Sequence, residues 1–256
     1  MLGVNVTLCR DDVPSAIGPL LQILNAAILI DFGAANANFH NPTGIACDAK
    51  GDVYVVDTNN HRVQKFDGKL GGYIMKFGSR GNGEGQFNAP WGIAIDRVRG
   101  YIYVVDSANF RVQKFDMSGE FIMSWGSFGN GDGQFYFPRG IAVDQADGTV
   151  YVVDMGNHRV QKFDTSTNVL PQLLTKWGGS SEAGHASSPL AQEAGQLRLS
   201  WGIAVDGQGD VYVTDTGNHR VRVVDPGADG IVDGDGAELS STIAGGGAPT
   251  PGSCGD

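Results

Sequence analysis

The chain is organised as short apolar runs of four to six residues separated by glycine-, aspartate- and asparagine-rich punctuation. Gly-Ile-Ala-x-Asp starts at Gly44, Gly92, Gly140 and Gly202, at spacings of 48, 48 and 62 residues. A Val/Tyr-rich run then closes on Asp57, Asp106, Asp154 or Asp215, nine or ten residues after the first motif ends. The third run begins with Asn-x-Arg-Val (60–63, 109–112, 157–160 and 218–221) and reaches Asp67, Asp116, Asp164 or Asp225. A fourth run follows at 73–77, 121–125, 173–177 and 241–244.

Runs this short, β-branched and aromatic, and bounded by turn formers, predict strands. The first carries Ile and Ala beside Gly, small residues suited to crowded packing. The second, Val53-Tyr54-Val55-Val56 in its first copy, is apolar on both faces, as a strand held between two neighbouring sheets would be. A four-stranded meander that repeats and cannot bury both faces alone must stack on its own copies, which is the logic of a β-propeller blade. The expected fold is therefore all-β: a propeller of four-stranded antiparallel blades.

Taken together, Pro-x-Gly-Ile-Ala-Val-Asp, Val-Tyr-Val-Val-Asp, Gly-Asn-His-Arg-Val-Gln-Lys-Phe-Asp and a trailing Trp-Gly resemble the NHL repeat, named for its Asn-His-Leu triplet. The triplet reads Asn60-His61-Arg62, Asn157-His158-Arg159 and Asn218-His219-Arg220, with Asn109-Phe110-Arg111 departing from it. The resemblance spans residue 39 to about 247. It implies a propeller, most often six-bladed, and it marks Asp57, Asn60, Arg62, Asp106, Asn109, Arg111, Asp154, Asn157, Arg159, Asp215, Asn218 and Arg220 as structural signature positions.

Four full blades are expected, at about 39–85, 86–133, 134–195 and 196–247, with 248–256 as the lead-in to a missing blade. Residues 1–38 read as a partial blade, with 4–11 as a third strand and 27–33 as a fourth. An incomplete or open propeller, as in a fragment of a longer protein, is the first expectation. The alternative is a small ring in which 1–38 joins the C-terminal strand.

Composition narrows the chemistry. Thirty-nine glycines serve the turns, and 41% hydrophobic residues suffice for a core, which excludes global disorder. A formal charge of −10 speaks against a nucleic-acid or anionic-membrane binder. Arg80, Arg97, Arg99 and Arg139 remain the candidates for a local basic patch, as RNA-binding relatives would need. Cys9, Cys47 and Cys254 are too few and too scattered for a disulfide framework, and no RING-like cysteine pattern is present. The apolar run 13–30 is interrupted by Pro14, Gly18, Pro19, Gln22 and Asn25 and is shorter than the ~20 residues of a membrane span. Arg10 is followed at once by Asp11 and Asp12, so a packed element is expected there ahead of a secretory signal. The compartment stays open, with an extracytoplasmic or secreted setting slightly preferred to a cytoplasmic one.

The glycine-rich stretches 78–85 and 126–133 lack Gly-Lys-Ser/Thr and a following helix, so they read as links between blades, not phosphate loops. His61, His158 and His219 occupy equivalent turns away from the axis and cannot converge on one zinc ion. The amidating lyases within the resembling family hold zinc through histidines in Pro-His-x triplets ahead of the inner strand. Here Thr43, Trp91, Arg139 and Trp201 occupy those places, so no zinc site carries over. The same four residues are the best binding candidates, since equivalent positions should project at one channel mouth and Trp and Arg dominate binding hot spots. A weaker candidate is calcium at Asp229, Asp233 and Asp235, in a segment without EF-hand spacing. The long insertion 178–195 reads as an exposed loop with a short helix near 189–194.

The expected function is thus a non-enzymatic scaffold that binds a protein, peptide or small ligand on the channel-mouth face, without an obligatory cofactor. The alternatives are a metal-dependent propeller lyase or hydrolase, and an RNA-binding propeller.

Overall fold

A computed structural model of the protein describes residues 5–6, 33, 35–167, 170–179, 197–224 and 241–245; side chains of 5–6, 224 and 241–245 are left aside. Each repeat folds as a meander. The first blade comprises β2 (Pro42–Cys47), β3 (Val53–Asp57), β4 (Arg62–Phe66) and β5 (Tyr73–Phe77), with β1 (Asn5–Val6) added to it. The second comprises β6 (Pro90–Asp96), β7 (Tyr101–Asp106), β8 (Arg111–Asp116) and β9 (Phe121–Trp125). The third has β10 (Pro138–Val143), β11 (Val150–Asp154), β12 (Arg159–Asp164) and β13 (Gln172–Gly178), and the fourth β14 (Ile203–Val205), β15 (Val211–Asp215), β16 (Arg220–Val224) and β17 (Ser241–Gly245).

The doubly apolar second strands explain why the blades stack. Side chains alternate across a strand. In β7, Ile102 and Val104 pack towards the first blade with Tyr54, Val56 and Phe87. Tyr103 and Val105 of the same strand pack towards the third blade with Phe135, Ile141, Val150 and Val152. Likewise Tyr151 and Val153 join Leu197, Ile203, Val211 and Val213 between the third and fourth blades. Among the described residues three of the four cores therefore lie between blades. The fourth packs Ile45, Val53, Val55 and Phe66 of the first blade against Phe39. Each fully buried Val or Ile between blades contributes roughly 1.5–3 kcal/mol that no blade gains alone.

Four blades surround one hub, where the family resemblance implies six. A narrow cavity of about 20 Å³ is lined by Gly44, Ile45, Gly92, Ile93, Gly140, Ile141 and Ile203, one or two residues from each inner strand. The glycines make this tight centre sterically accessible. A Cβ on Gly44, Gly92 or Gly140 would stand 2.5, 2.3 or 2.6 Å from the carbonyl oxygen of Trp91, Arg139 or Trp201, each on the next blade.

At the N-terminus the arrangement differs from the expected third strand of a partial blade. Asn5 and Val6 pair in parallel with Gly44 and Ile45, along the innermost strand of the first blade. Residues 7–32 of the expected partial blade, the lead-in 248–256, residues 180–195 of the long insertion and the calcium candidates Asp229, Asp233 and Asp235 lie outside the described residues. No helix among the described residues is long and apolar enough to cross a membrane.

Candidate binding site at the channel mouth

Every signature aspartate is the centre of one clamp. Asp57 accepts bonds from the backbone N–H of His40 (2.7 Å), Asn60 Nδ2, Arg62 Nε (2.7 Å) and Gln64 Nε2. Asp106 takes the same set from Asn88, Asn109, Arg111 and Gln113. Asp154 repeats it with Tyr136, Asn157, Arg159 and Gln161. All of these carboxylates are fully buried, which is tolerable only because the charge is paired and both oxygens accept hydrogen bonds. The arginines reach on to the entering loop: Arg111 Nη2 donates to the carbonyls of Gly83 and Gln86, and Arg159 Nη2 to those of Gly131 and Gln134. Gln113 and Gln161 also accept the N–H of Gly85 and Gly133. The glycine-rich links are thereby fastened to the blade they enter. In the first blade, Gly33, Ala35, Ala37 and Asn38 play that part.

The fourth clamp differs in one position. Asp215 is held by Arg198 N–H, Asn218, Arg220 and, where the others have glutamine, Arg222. Burial pushes the carboxyls of Asp106 and Asp154 above their ordinary value in spite of their partners. Burial pushes Asp215 the same way, but Asn218, two arginines and the Arg198 N–H together hold it below.

Between blades, the residue after the signature asparagine adopts a left-handed conformation, with φ of 54–56° at His61, Phe110, His158 and His219. His61 Nδ1 accepts the Ala89 N–H at 3.1 Å and His158 Nδ1 that of Leu199 at 3.3 Å. These two histidines latch blade to blade. Among the described residues no group of three or more His, Cys, Asp and Glu is gathered as a metal ion would require.

The mouth itself is built where the inner strands begin: Trp91 and Arg139 are the second residues of β6 and β10, and Trp201 lies two residues ahead of β14. Trp91 and Trp201, from opposite blades, meet edge to face at 5.7 Å between ring centroids. The Arg139 guanidinium carbon lies 3.8 Å from the Trp91 centroid and 5.5 Å from that of Trp201. Such contacts contribute about 0.5–2 kcal/mol each, depending on desolvation. Burial lowers the pKa of Arg139 from its ordinary value, yet arginine stays cationic in any protein environment. Its Nε and the Trp91 Nε1 are buried without an acceptor among the described residues. The site is a half-buried cation packed against a pair of touching indoles.

Thr43 departs from the expected ring of four. It is buried, and its hydroxyl donates to the Trp91 carbonyl at 2.8 Å while lying 2.7 Å from the Thr58 hydroxyl, which must then be the donor to it. Thr43 supports the mouth from below instead of facing it. Nor do the four arginines form one patch. Arg97 and Arg99 follow the far end of β6, where Arg99 pairs with Asp96 at 3.3 Å and donates to the Ala146 carbonyl. The seven-residue strand separates them from the mouth by roughly 20 Å. The glutamines of the clamps were not among the expected signature residues, although Arg-x-Gln recurs at Gln64, Gln113 and Gln161.

With the fold and mouth in place, the relationships are plain. The NHL repeat model matches residues 39–66, 87–115, 135–163 and 201–224. The chain is an NHL-repeat protein, folded as a four-bladed β-propeller. It is 40% identical over 70 residues to protein brain tumor of Drosophila melanogaster, covering 27% of this chain and 7% of that protein. It is 42% identical over 67 residues to the RING finger protein nhl-1 of Caenorhabditis elegans, covering 26% of this chain and 7% of nhl-1. These alignments span less than a tenth of either relative. A virginiamycin B lyase from Staphylococcus aureus with quinupristin superposes with a TM-score of 0.52 at 16% identity, over 73% of this chain and 53% of the lyase. The WD40 repeats of RRP9 superpose with a TM-score of 0.53 at 11% identity, over 71% of this chain and 47% of theirs. Both are likenesses of fold alone.

Proposed function

We propose that this propeller is a non-enzymatic binding scaffold whose channel mouth receives a carboxylate of a protein or peptide partner. The observation that carries this reading is the Arg139 guanidinium, packed against the Trp91 ring and beside Trp201, with its Nε lacking an acceptor among the described residues. A guanidinium donates two parallel hydrogen bonds to a carboxylate, and neighbouring indoles strengthen them by excluding water. Trp91 and Arg139 stand on β6 and β10, and Trp201 stands just ahead of β14, so little ordering cost falls on the protein.

Tryptophan fluorescence gives a direct test. N-acetylated tetrapeptides with a free C-terminal carboxylate are titrated against their C-terminal amides. The carboxylates are expected to shift emission saturably, the amides to bind roughly tenfold less tightly, and Arg139→Leu to abolish the difference. Equal responses to acid and amide would overturn the reading.

A further inference from the structure

The junction of the second and third blades carries a surface that the preceding junction lacks. At the junction of the first and second blades, four equivalent positions hold His61, Arg80, Asn88 and Ala89. Between the second and third blades those positions hold Phe110, Phe128, Tyr136 and Phe137. The four rings form one cluster: Phe110 lies 5.1 Å from Phe128 and 5.9 Å from Phe137, Phe128 lies 5.6 Å from Tyr136, and Tyr136 lies 4.7 Å from Phe137. Phe128 is 64% exposed, Tyr136 39% and Phe137 37%.

The fold does not demand this cluster, because the sibling junction closes with polar and small residues on the same backbone. Neither is it loose. The Tyr136 N–H is held by Asp154 at 2.7 Å, the Tyr136 carbonyl accepts the Gly156 N–H at 2.7 Å, and Phe128 is bridged to Phe135. Rigid exposed aromatics are characteristic of binding surfaces. The cluster also adjoins the mouth: Phe137 and Arg139 are separated only by Pro138, so their Cα atoms are at most about 7 Å apart.

Resting on the carboxylate reading of the mouth, we infer that the Phe110–Phe128–Tyr136–Phe137 cluster is a second subsite, which takes aromatic or aliphatic side chains flanking that carboxylate in a partner protein segment. The occupant is a peptide with one acidic group next to apolar residues. One guanidinium whose Nε lacks an acceptor among the described residues matches one carboxylate, whereas a polyanion would meet a chain of net charge −10.

A random heptapeptide phage library panned on the full chain tests this. The enriched sequences are expected to pair one Asp or Glu with at least one aromatic or aliphatic residue. A synthetic copy is then measured on two variants. The first transplants the sibling junction (Phe110→His, Phe128→Arg, Tyr136→Asn and Phe137→Ala) and keeps residues already compatible with the fold, which an unchanged melting temperature checks. The second is Arg139→Leu. Roughly tenfold weaker binding by each supports the inference. Loss in Arg139→Leu with unchanged binding by the transplant overturns the subsite and leaves the mouth reading standing. Loss in the transplant alone overturns the carboxylate reading and with it the ligand class inferred here. Tighter binding of a fluorescent 12-mer oligo-uridine, removed by the transplant, would overturn it in favour of RNA.

Discussion

The clamps and the mouth are both made of positions that recur four times, yet they behave in opposite ways. Around each buried aspartate the same asparagine and arginine return in every blade, and the geometry returns with them, Arg Nε lying 2.7–2.9 Å from the carboxylate throughout. At the mouth, equivalent backbone positions carry Thr43, Trp91, Arg139 and Trp201, three residue types with three different surroundings. Sameness across blades reflects a requirement of the stack, since any one clamp fastens the loop that crosses to its neighbour. Difference across blades reflects freedom from that requirement. It is at the free positions that a propeller acquires chemistry of its own.

The largest expected effect tests the first half of this contrast. Asp154→Ala leaves Arg159 buried without its carboxylate and strips acceptors from Asn157, Gln161 and the Tyr136 N–H. Breaking a buried pair in this way costs roughly 3–5 kcal/mol. Denaturant unfolding should register it, and a loss under about 1 kcal/mol would show the clamp to be dispensable. Next comes Gly92→Ala, whose methyl would collide with the Arg139 carbonyl. Overpacking of this kind costs about 1–3 kcal/mol. Because the clash pushes the second and third blades apart, the tryptophan emission of the mouth should change as well; an unchanged spectrum and stability would mean that the hub yields easily.

Thr43→Val sharpens the other half. It removes the donor to the Trp91 carbonyl and leaves Thr58 without its hydroxyl partner, at a cost of about 1–2 kcal/mol. If Thr43 is support and not contact surface, peptide affinity should fall far less than in Arg139→Leu. Equal losses in the two variants would return Thr43 to the binding ring.

The sequence made the blades legible because two separate signals agree in it: short apolar runs bounded by turn formers, and recurrence of the whole meander after 48, 48 and 62 residues. It also marked the mouth, since equivalent positions in stacked copies must share one rim. Thr43 misled because a repeat position fixes the backbone and not the rotamer. Its short hydroxyl side chain turns inward to Thr58, which bulky Trp91 and Arg139 cannot do. The pairing of Asn5–Val6 was equally hidden, since an apolar run does not say which edge it will join. The aromatic cluster was readable in principle at Phe110, the one departure from the Asn-His-Arg triplet. Its companions Phe128, Tyr136 and Phe137 come from two other segments, however, and only packing assembles them.

The smallest expected effect concerns the latches. A histidine Nδ1 that accepts a backbone N–H must be unprotonated, so the bonds from Ala89 to His61 and from Leu199 to His158 exist only with neutral imidazoles. Burial lowers both pKa values; nearby Arg80 and Arg198 add to this, and Asp106 and Asp154 oppose it. The unfolded chain, with histidine near 6.5, therefore binds more protons than the folded one just below that pH. The latch contribution is complete above about pH 6.5 and declines as acidification passes towards the folded values. Both side chains are partly exposed, which limits the effect to about 1–2 °C of melting temperature between pH 7.5 and 5. Phe110 shows that the same turn closes without an imidazole, which makes His61→Phe/His158→Phe the natural control. Its melting temperature should change less with pH over that interval. If the double variant keeps the full pH dependence of the parent, the two histidines do not carry it, and the difference between latched and aromatic junctions is one of surface alone.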